Sequence, residues 1–181
     1  VALAGTMQDL IGQDGTQGAQ RIVDDGFPFQ KRGGPLLHRT LTQFLQATDW
    51  GELDYLVIDM PPGTGDVQMG LAKRLPRAEM LVVTTPALAA QKVAIRVANM
   101  GRANYLRIVG VVENMSAYVS EDGQRHELFG AGGGSALAAD IGAPLLGSIP
   151  LDAAVANAGD TGRPIALGEG PAADAYRAIV D

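Results

Sequence analysis

Short apolar runs that stop at loop-forming residues recur along this chain, and they constrain its fold more than any other feature. Residues 53–59 run into Pro61-Pro62-Gly63-Thr64-Gly65, residues 80–85 stop at Pro86, residues 106–113 give way to Asn114, and residues 144–149 end at Pro150. Runs that are apolar on consecutive rather than alternate residues are strands buried on both faces. The intervening segments carry helical spacing. Residues 35–47 repeat Leu36, Leu37, Leu41, Phe44 and Leu45 behind a proline at the first turn, where its missing N–H costs nothing. Residues 67–75, 87–104 and 135–140 are the further predicted helices. The alternation predicts an α/β fold of three layers, with a central, mostly parallel sheet between helices.

Residues 1–31 resist such a reading, because glycines at 5, 12, 15, 18 and 26 interrupt every apolar stretch. Residues 32–181 are predicted to form the main body, and at 181 residues without repeats or a low-complexity linker the whole fits one domain. Aromatic residues make up only 5% while glycine reaches 24, so the core is built from Ala, Val, Leu and Ile with tight turns between elements. That suits α/β layering better than an aromatic-rich sandwich.

A net charge of −6 argues against nucleic acid as a partner, since binding there rests on clustered Lys and Arg. No apolar run approaches the roughly 20 residues that cross a bilayer, so no membrane role is expected and the cytoplasm is the simplest location. Zero cysteines exclude disulfides, thiol catalysis and any cysteine-ligated metal on this chain.

The sharpest local signal is residues 54–66, DYLVIDMPPGTGD. A carboxylate at the tip of a buried strand, Asp59, can hold Mg²⁺ directly or through water beside nucleotide phosphates. The glycine-rich loop after it, with Gly63, permits backbone N–H groups to approach a γ-phosphate closely. The alternative is that Asp59 caps a turn. Two prolines and two glycines fixing the loop, with Asp66 placed to cap the next helix, favour the phosphate-side role.

This stretch resembles the hallmark of the Mrp family within the MinD/ParA-like P-loop ATPases. The similarity continues through LVVTTP at 81–86, VGVVENMS at 109–116, FGAGGG at 129–134 and LGSIPLD at 146–152, and covers about residues 32–167 in the family's order. It implies a P-loop NTPase-like fold, ATP bound at the carboxyl edge of the sheet with Mg²⁺, and ATP hydrolysis. It also implies a homodimer formed across the nucleotide, and a role in carrying or assembling iron-sulfur clusters for client proteins.

Carried over by position, Asp59 matches the Walker B aspartate and Mg²⁺ ligand, and Gly63 lies in the γ-phosphate sensor loop. Asn114 matches the asparagine that reads adenine, as an amide that both donates and accepts can. The rival for Asn114 is a local cap at a strand end. Pro150, Leu151 and Asp152 match the loop packed against the base. Asp152 is equally suited to cap a following helix.

Two departures stand out. A P-loop needs G-x-x-x-x-G-K-[ST], yet Lys31, Lys73 and Lys92 are the chain's lysines and none follows a glycine. Residues 1–5, VALAG, resemble the end of the helix after the family's P-loop, which leads to the expectation that the natural protein begins upstream. The family's C-x-x-C, expected between Asn114 and Phe129, is replaced by a stretch with Ser120, Glu121, Asp122 and His126, a poor substitute for thiolate ligands. Some members of the family are similar in lacking those cysteines. A nucleotide-dependent switch or scaffold of MinD/ParA type, without turnover or cluster binding, is therefore the alternative function. The run of residues 130–134, AGGG after a glycine, is read as a connector capped by Ser135 in preference to an anion site at a helix N-terminus.

Overall fold

In the computed structural model of the protein, residues 2–5, 34–60, 65–120 and 122–180 are described. The elements run in chain order as β1 (Ala2–Gly5), α1 (Gly34–Ala47), β2 (Leu56–Asp59), α2 (Asp66–Arg74), β3 (Glu79–Thr84) and α3 (Leu88–Ala103). There follow β4 (Arg107–Glu113), β5 (Tyr118–Val119), β6 (Arg125–His126), α4 (Gly133–Ile141), β7 (Leu145–Ser148), α5 (Ala153–Asp160), a 3-10 turn at Ile165–Leu167 and α6 (Pro171–Val180). The alternation of strand and helix from β2 to β4 is the α/β order that the apolar runs predict. The chain divides into two compact units, Val1–Met80 with Asn99–Arg107, and Leu81–Ala98 with Ile108–Asp181.

In the first unit, α1 and α2 pack together, and Arg74 Nε donates to Thr42 Oγ1 at 2.7 Å between them. The buried face of α2 is Leu71, Ala72 and Leu75, while Lys73 and Arg74 fall in its last turn, where cations complement the helix dipole. Beyond α1 the chain turns back, with Trp50 Nε1 donating to the Leu45 carbonyl at 3.3 Å and its ring edge-on to Phe44. Gly101 is a glycine for space, since a Cβ there would stand 2.7 Å from the Cε of buried Met80.

Three expectations for this unit need correction. Residues 2–5 are not the end of a helix. They form β1, paired antiparallel with β2 in the register Ala2 with Asp59 to Gly5 with Leu56. A segment this short cannot meet the cost of helix nucleation by itself, whereas pairing supplies its backbone groups with partners. Strand β2 is also not buried on both faces: Leu56 is buried, but Val57 is 67% exposed. Successive side chains of a strand point to opposite faces, so Asp59 shares the side of exposed Val57 and is itself exposed. Helix α2 takes Gly65 as its N-cap, so Asp66 is its first residue rather than its cap.

In the second unit, β3, β4 and β7 stand side by side in that order. The β4–β7 pair is parallel, with Val111 opposite Leu145, Val112 opposite Gly147 and Glu113 opposite Ser148, and a register shift after Val111. The core consists of Val82, Val97, Ala98, Val111, Leu137, Ile141, Ala172 and Ala173, all with 4% exposure or less. Burying the largest of these contributes roughly 1.5–3 kcal/mol each. Small residues set the spacing. A Cβ at Gly147 would come within 2.6 Å of Ile179 on α6, so β7 and α6 approach as closely as they do because residue 147 has no side chain. Among the described residues no helix is long and apolar enough to cross a membrane.

Candidate functional site

Backbone pairing continues past the ends of β4 and β7 and draws two loops together. Ile149 N–H donates to Glu113 O at 2.7 Å, Ser116 N–H to Ile149 O at 2.9 Å, and Leu151 N–H to Ala117 O at 2.8 Å. Tyr118 and Leu151 complete the zip as an isolated parallel bridge. Asn114 on one loop and Pro150, Leu151 and Asp152 on the other are thereby placed at one sheet edge within the second unit.

Asn114 is half-buried, and its N–H donates to Thr84 O at 2.7 Å, fixing it beside the end of β3. Its Oδ1 accepts the Met115 N–H at 2.9 Å. Met115 adopts a left-handed φ of 55°, which non-glycine residues adopt at a cost and which clusters at functional sites. The side-chain carbonyl therefore has a local partner, as the capping alternative holds. Among the described residues its second lone pair and the Nδ2 donors are left for a ligand, since the Met115 contact uses one lone pair of the oxygen.

Asp152 is the N-cap of α5, and its Oδ1 accepts the Ala154 N–H at 2.8 Å. A carboxylate in that role satisfies an otherwise unpaired first-turn donor. What the 150–152 loop can still offer a ligand is backbone and the ring of Pro150.

Glu113, the last residue of β4, is 5% exposed. Its carboxylate accepts the Gly134 N–H at the start of α4 and the Ser148 hydroxyl at 3.2 Å at the end of β7. In the sequence Glu113 is no more than the last residue of an apolar run. The same contact explains the glycine run. Gly133 and Gly134 are helical, Gly132 at φ 70° is the N-cap, and Ser135 lies inside the helix, so the expected connector capped by Ser135 is replaced by a glycine-led first turn. A Cβ at Gly134 would stand 2.6 Å from Glu113 Cβ, and one at Gly133 2.6 Å from the Pro86 Cα and carbonyl oxygen. These glycines bring α4 close enough for its N–H to reach the protein's own carboxylate.

Where the resemblance led to an expected C-x-x-C, β5 pairs antiparallel with β6, Tyr118 with His126 and Val119 with Arg125, while Glu121 lies outside the described residues. This hairpin is not among the elements predicted from the sequence; Asp122-Gly123 at its tip, with Gly123 at φ 81°, is the turn signal that marks one. Ser120 Oγ donates to Asp122 Oδ1, and His126 Nε2 stands 3.1 Å from the same hydroxyl. The Ser120 hydroxyl, followed by the Gln124 N–H, holds the Asp122 carboxyl below its ordinary value. These groups are engaged with one another and contain no sulfur, so they do not form a cluster-ligating set.

Asp59 belongs to the first unit, at the tip of β2. Gly63, with Pro61, Pro62 and Thr64, lies outside the described residues. Among the described residues no three His, Cys, Asp or Glu side chains gather to hold a metal. A lone exposed carboxylate nevertheless fits Mg²⁺, which commonly takes one or two carboxylates and fills its shell with phosphate and water.

The sequence model described as NUBPL iron-transfer P-loop NTPase, within the ParA group, matches residues 28–181. The iron-sulfur cluster carrier protein of Mycobacterium leprae is 51% identical over 140 residues, 74% of this chain and 37% of that protein. Those of Deinococcus radiodurans and Pseudomonas fragi are 45% and 42% identical over 149 residues, covering 81% and 82% of this chain and 42% and 52% of theirs. The chain thus spans about half the length of these relatives or less. Among solved structures, a nucleotide-binding protein of Archaeoglobus fulgidus in complex with ADP has a TM-score of 0.60 at 34% identity, covering 71% of this chain and 53% of that one. The MinD cell division protein of Aquifex aeolicus has a TM-score of 0.53 at 17% identity, over 81% of this chain and 58% of its own, and shows the shared fold alone.

Proposed function

Because the chain belongs to the NUBPL iron-transfer P-loop NTPase family, we propose that it binds and hydrolyses ATP and acts in carrying or assembling iron-sulfur clusters for client proteins. The observation that supports this is the paired loop edge, in which backbone bonds hold the segment that carries Asn114 against the segment that carries Pro150 and Leu151. An adenine edge offers an amino donor next to a ring nitrogen acceptor. Asn114 Oδ1 and Nδ2 complement that pair, while guanine puts a carbonyl where the amino group would be. The ring of Pro150 and the backbone of Leu151 and Asp152 flank the base, and Asp152 keeps its side chain on the helix.

Asp59 is the residue that would hold Mg²⁺, with the Gly63 loop reporting the γ-phosphate. When bound, the ion neutralises charge on the phosphates. Asp59 itself needs only to be accessible, as its exposed place at the strand tip permits. Two copies are proposed to associate across the nucleotide, in the cytoplasm. The cluster is cargo in this scheme, and with no cysteine in the chain its ligands are not the hairpin's side chains.

A second function is favoured by a specific observation, the absence of any glycine-lysine pair in the sequence. Should no lysine reach the phosphates, from this stretch or from beyond it, the domain would serve as a nucleotide-dependent switch or scaffold. Calorimetric titration with Mg-ATP, coupled to phosphate release, separates the two. Binding with turnover supports the ATPase, and binding without turnover supports the switch. No binding of either ATP or ADP rejects nucleotide recognition by these loops.

A further inference from the structure

The buried carboxylate of Glu113 has no part in the chemistry above, yet it joins the elements on both sides of the proposed base site. Its backbone oxygen accepts from Ile149, the residue before Pro150, and its backbone is directly bonded to Asn114. Its side chain reaches Gly134 on α4 and Ser148 on β7. A carboxylate that is 5% exposed is retained only where its lone pairs are satisfied, and here the partners are a helix N-terminal N–H and a hydroxyl. Gly134 leaves room for this contact and for nothing larger.

We infer that Glu113 is the positioning residue of the base site: its carboxylate clamps α4 and β7 to the end of β4, and thereby sets the separation between the Asn114 amide and the 150–152 loop. This rests on the base-reading role proposed for Asn114. The clamp fixes selectivity rather than simple affinity, because an amide a few tenths of an ångström out of place still meets a base but no longer distinguishes the donor of adenine from the carbonyl of guanine. Glu113→Ala removes both bonds. Glu113→Gln keeps one acceptor oxygen and loses the charge. Ser148→Ala removes a single bond.

The test is the ratio of dissociation constants for GDP and ADP, measured by calorimetry on the full chain and each variant, with circular dichroism to establish folding. A wild-type preference for ADP is expected to fall by at least roughly tenfold in Glu113→Ala, the order set by losing even one of its two hydrogen bonds, with Glu113→Gln intermediate. A folded Glu113→Ala with the wild-type ratio overturns the inference. Should that variant not fold, Glu113→Gln and Ser148→Ala decide it: a reduced ratio upholds the clamp and an unchanged one refutes it. A wild-type protein that binds ADP and GDP alike rejects instead the base-reading role of Asn114, and the inference falls with it.

Discussion

Gly133→Ala is expected to destabilise the protein although alanine is the better helix former. The added methyl would stand 2.6 Å from the Cα and the carbonyl oxygen of Pro86, and 2.6 Å from Gln91 Nε2. Ordinary contact begins near 3.4 Å, so the first turn of α4 must retreat by about 3.4 − 2.6 = 0.8 Å. Two of the obstructing atoms are backbone and cannot swing aside as a side-chain tip would. Overpacking of this kind costs about 1–3 kcal/mol, and the helix preference for alanine returns less than about 1 kcal/mol. Shifting Gln91 also threatens its buried 2.8 Å bond to Pro86 O, worth about 1 kcal/mol. The net loss is about 2 kcal/mol, which for a chain of this size lowers the melting temperature by roughly 4–8 °C. Thermal and urea unfolding followed by circular dichroism measure it. Gly159→Ala in α5 meets nothing within 4 Å and is the matched control, expected to be neutral or stabilising by up to about 1 kcal/mol. A Gly133→Ala protein as stable as the wild type would refute the packing role assigned to this glycine.

Asp152→Ala is expected to cost about 1 kcal/mol of stability through the lost cap, with little change in nucleotide affinity, and a large affinity loss by calorimetry would show that the side chain serves the ligand instead. Ser120→Ala is expected to raise the Asp122 pKa toward its ordinary value, as an NMR titration of the carboxyl would read. Because that pKa is lowered in the folded hairpin, the contribution of the carboxylate is present at neutral pH and is lost as pH falls through the folded-state value. Asp59→Asn is expected to weaken the Mg²⁺ dependence of ATP binding while leaving the unfolding curve in place, and an unchanged dependence would remove Asp59 from the metal.

The sequence made the core elements legible because periodicity reports burial. Residues 106–113 were readable as a strand, and β4 spans Arg107–Glu113; residues 87–104 were readable as a helix, and α3 spans Leu88–Ala103. Periodicity fails where local pairing decides. Residues 2–5 carry too few side chains to reveal an antiparallel partner, and the β5–β6 hairpin is two residues a side, marked only by its Asp-Gly turn. The helices after Pro150 went unread, although Asp152 and Pro171 mark their starts. At the site, Asn114 and the 150–152 loop were nameable from motif order. Glu113 was not, since a carboxylate ending an apolar run gives no sign of two partners 21 and 35 residues away. Gly133 and Gly134 looked like a flexible connector because lack of a side chain reads equally as freedom or as tight contact.

Nucleotide recognition at the Asn114 edge is tested most directly by NMR titration of the labelled chain with ADP and with GDP. ADP is expected to shift the Asn114 side-chain amide and the Leu151 and Asp152 backbone amides together, and GDP at the same concentration to leave them largely unmoved. Shifts confined to other residues, or equal shifts with both nucleotides, would contradict an adenine site built from these two loops.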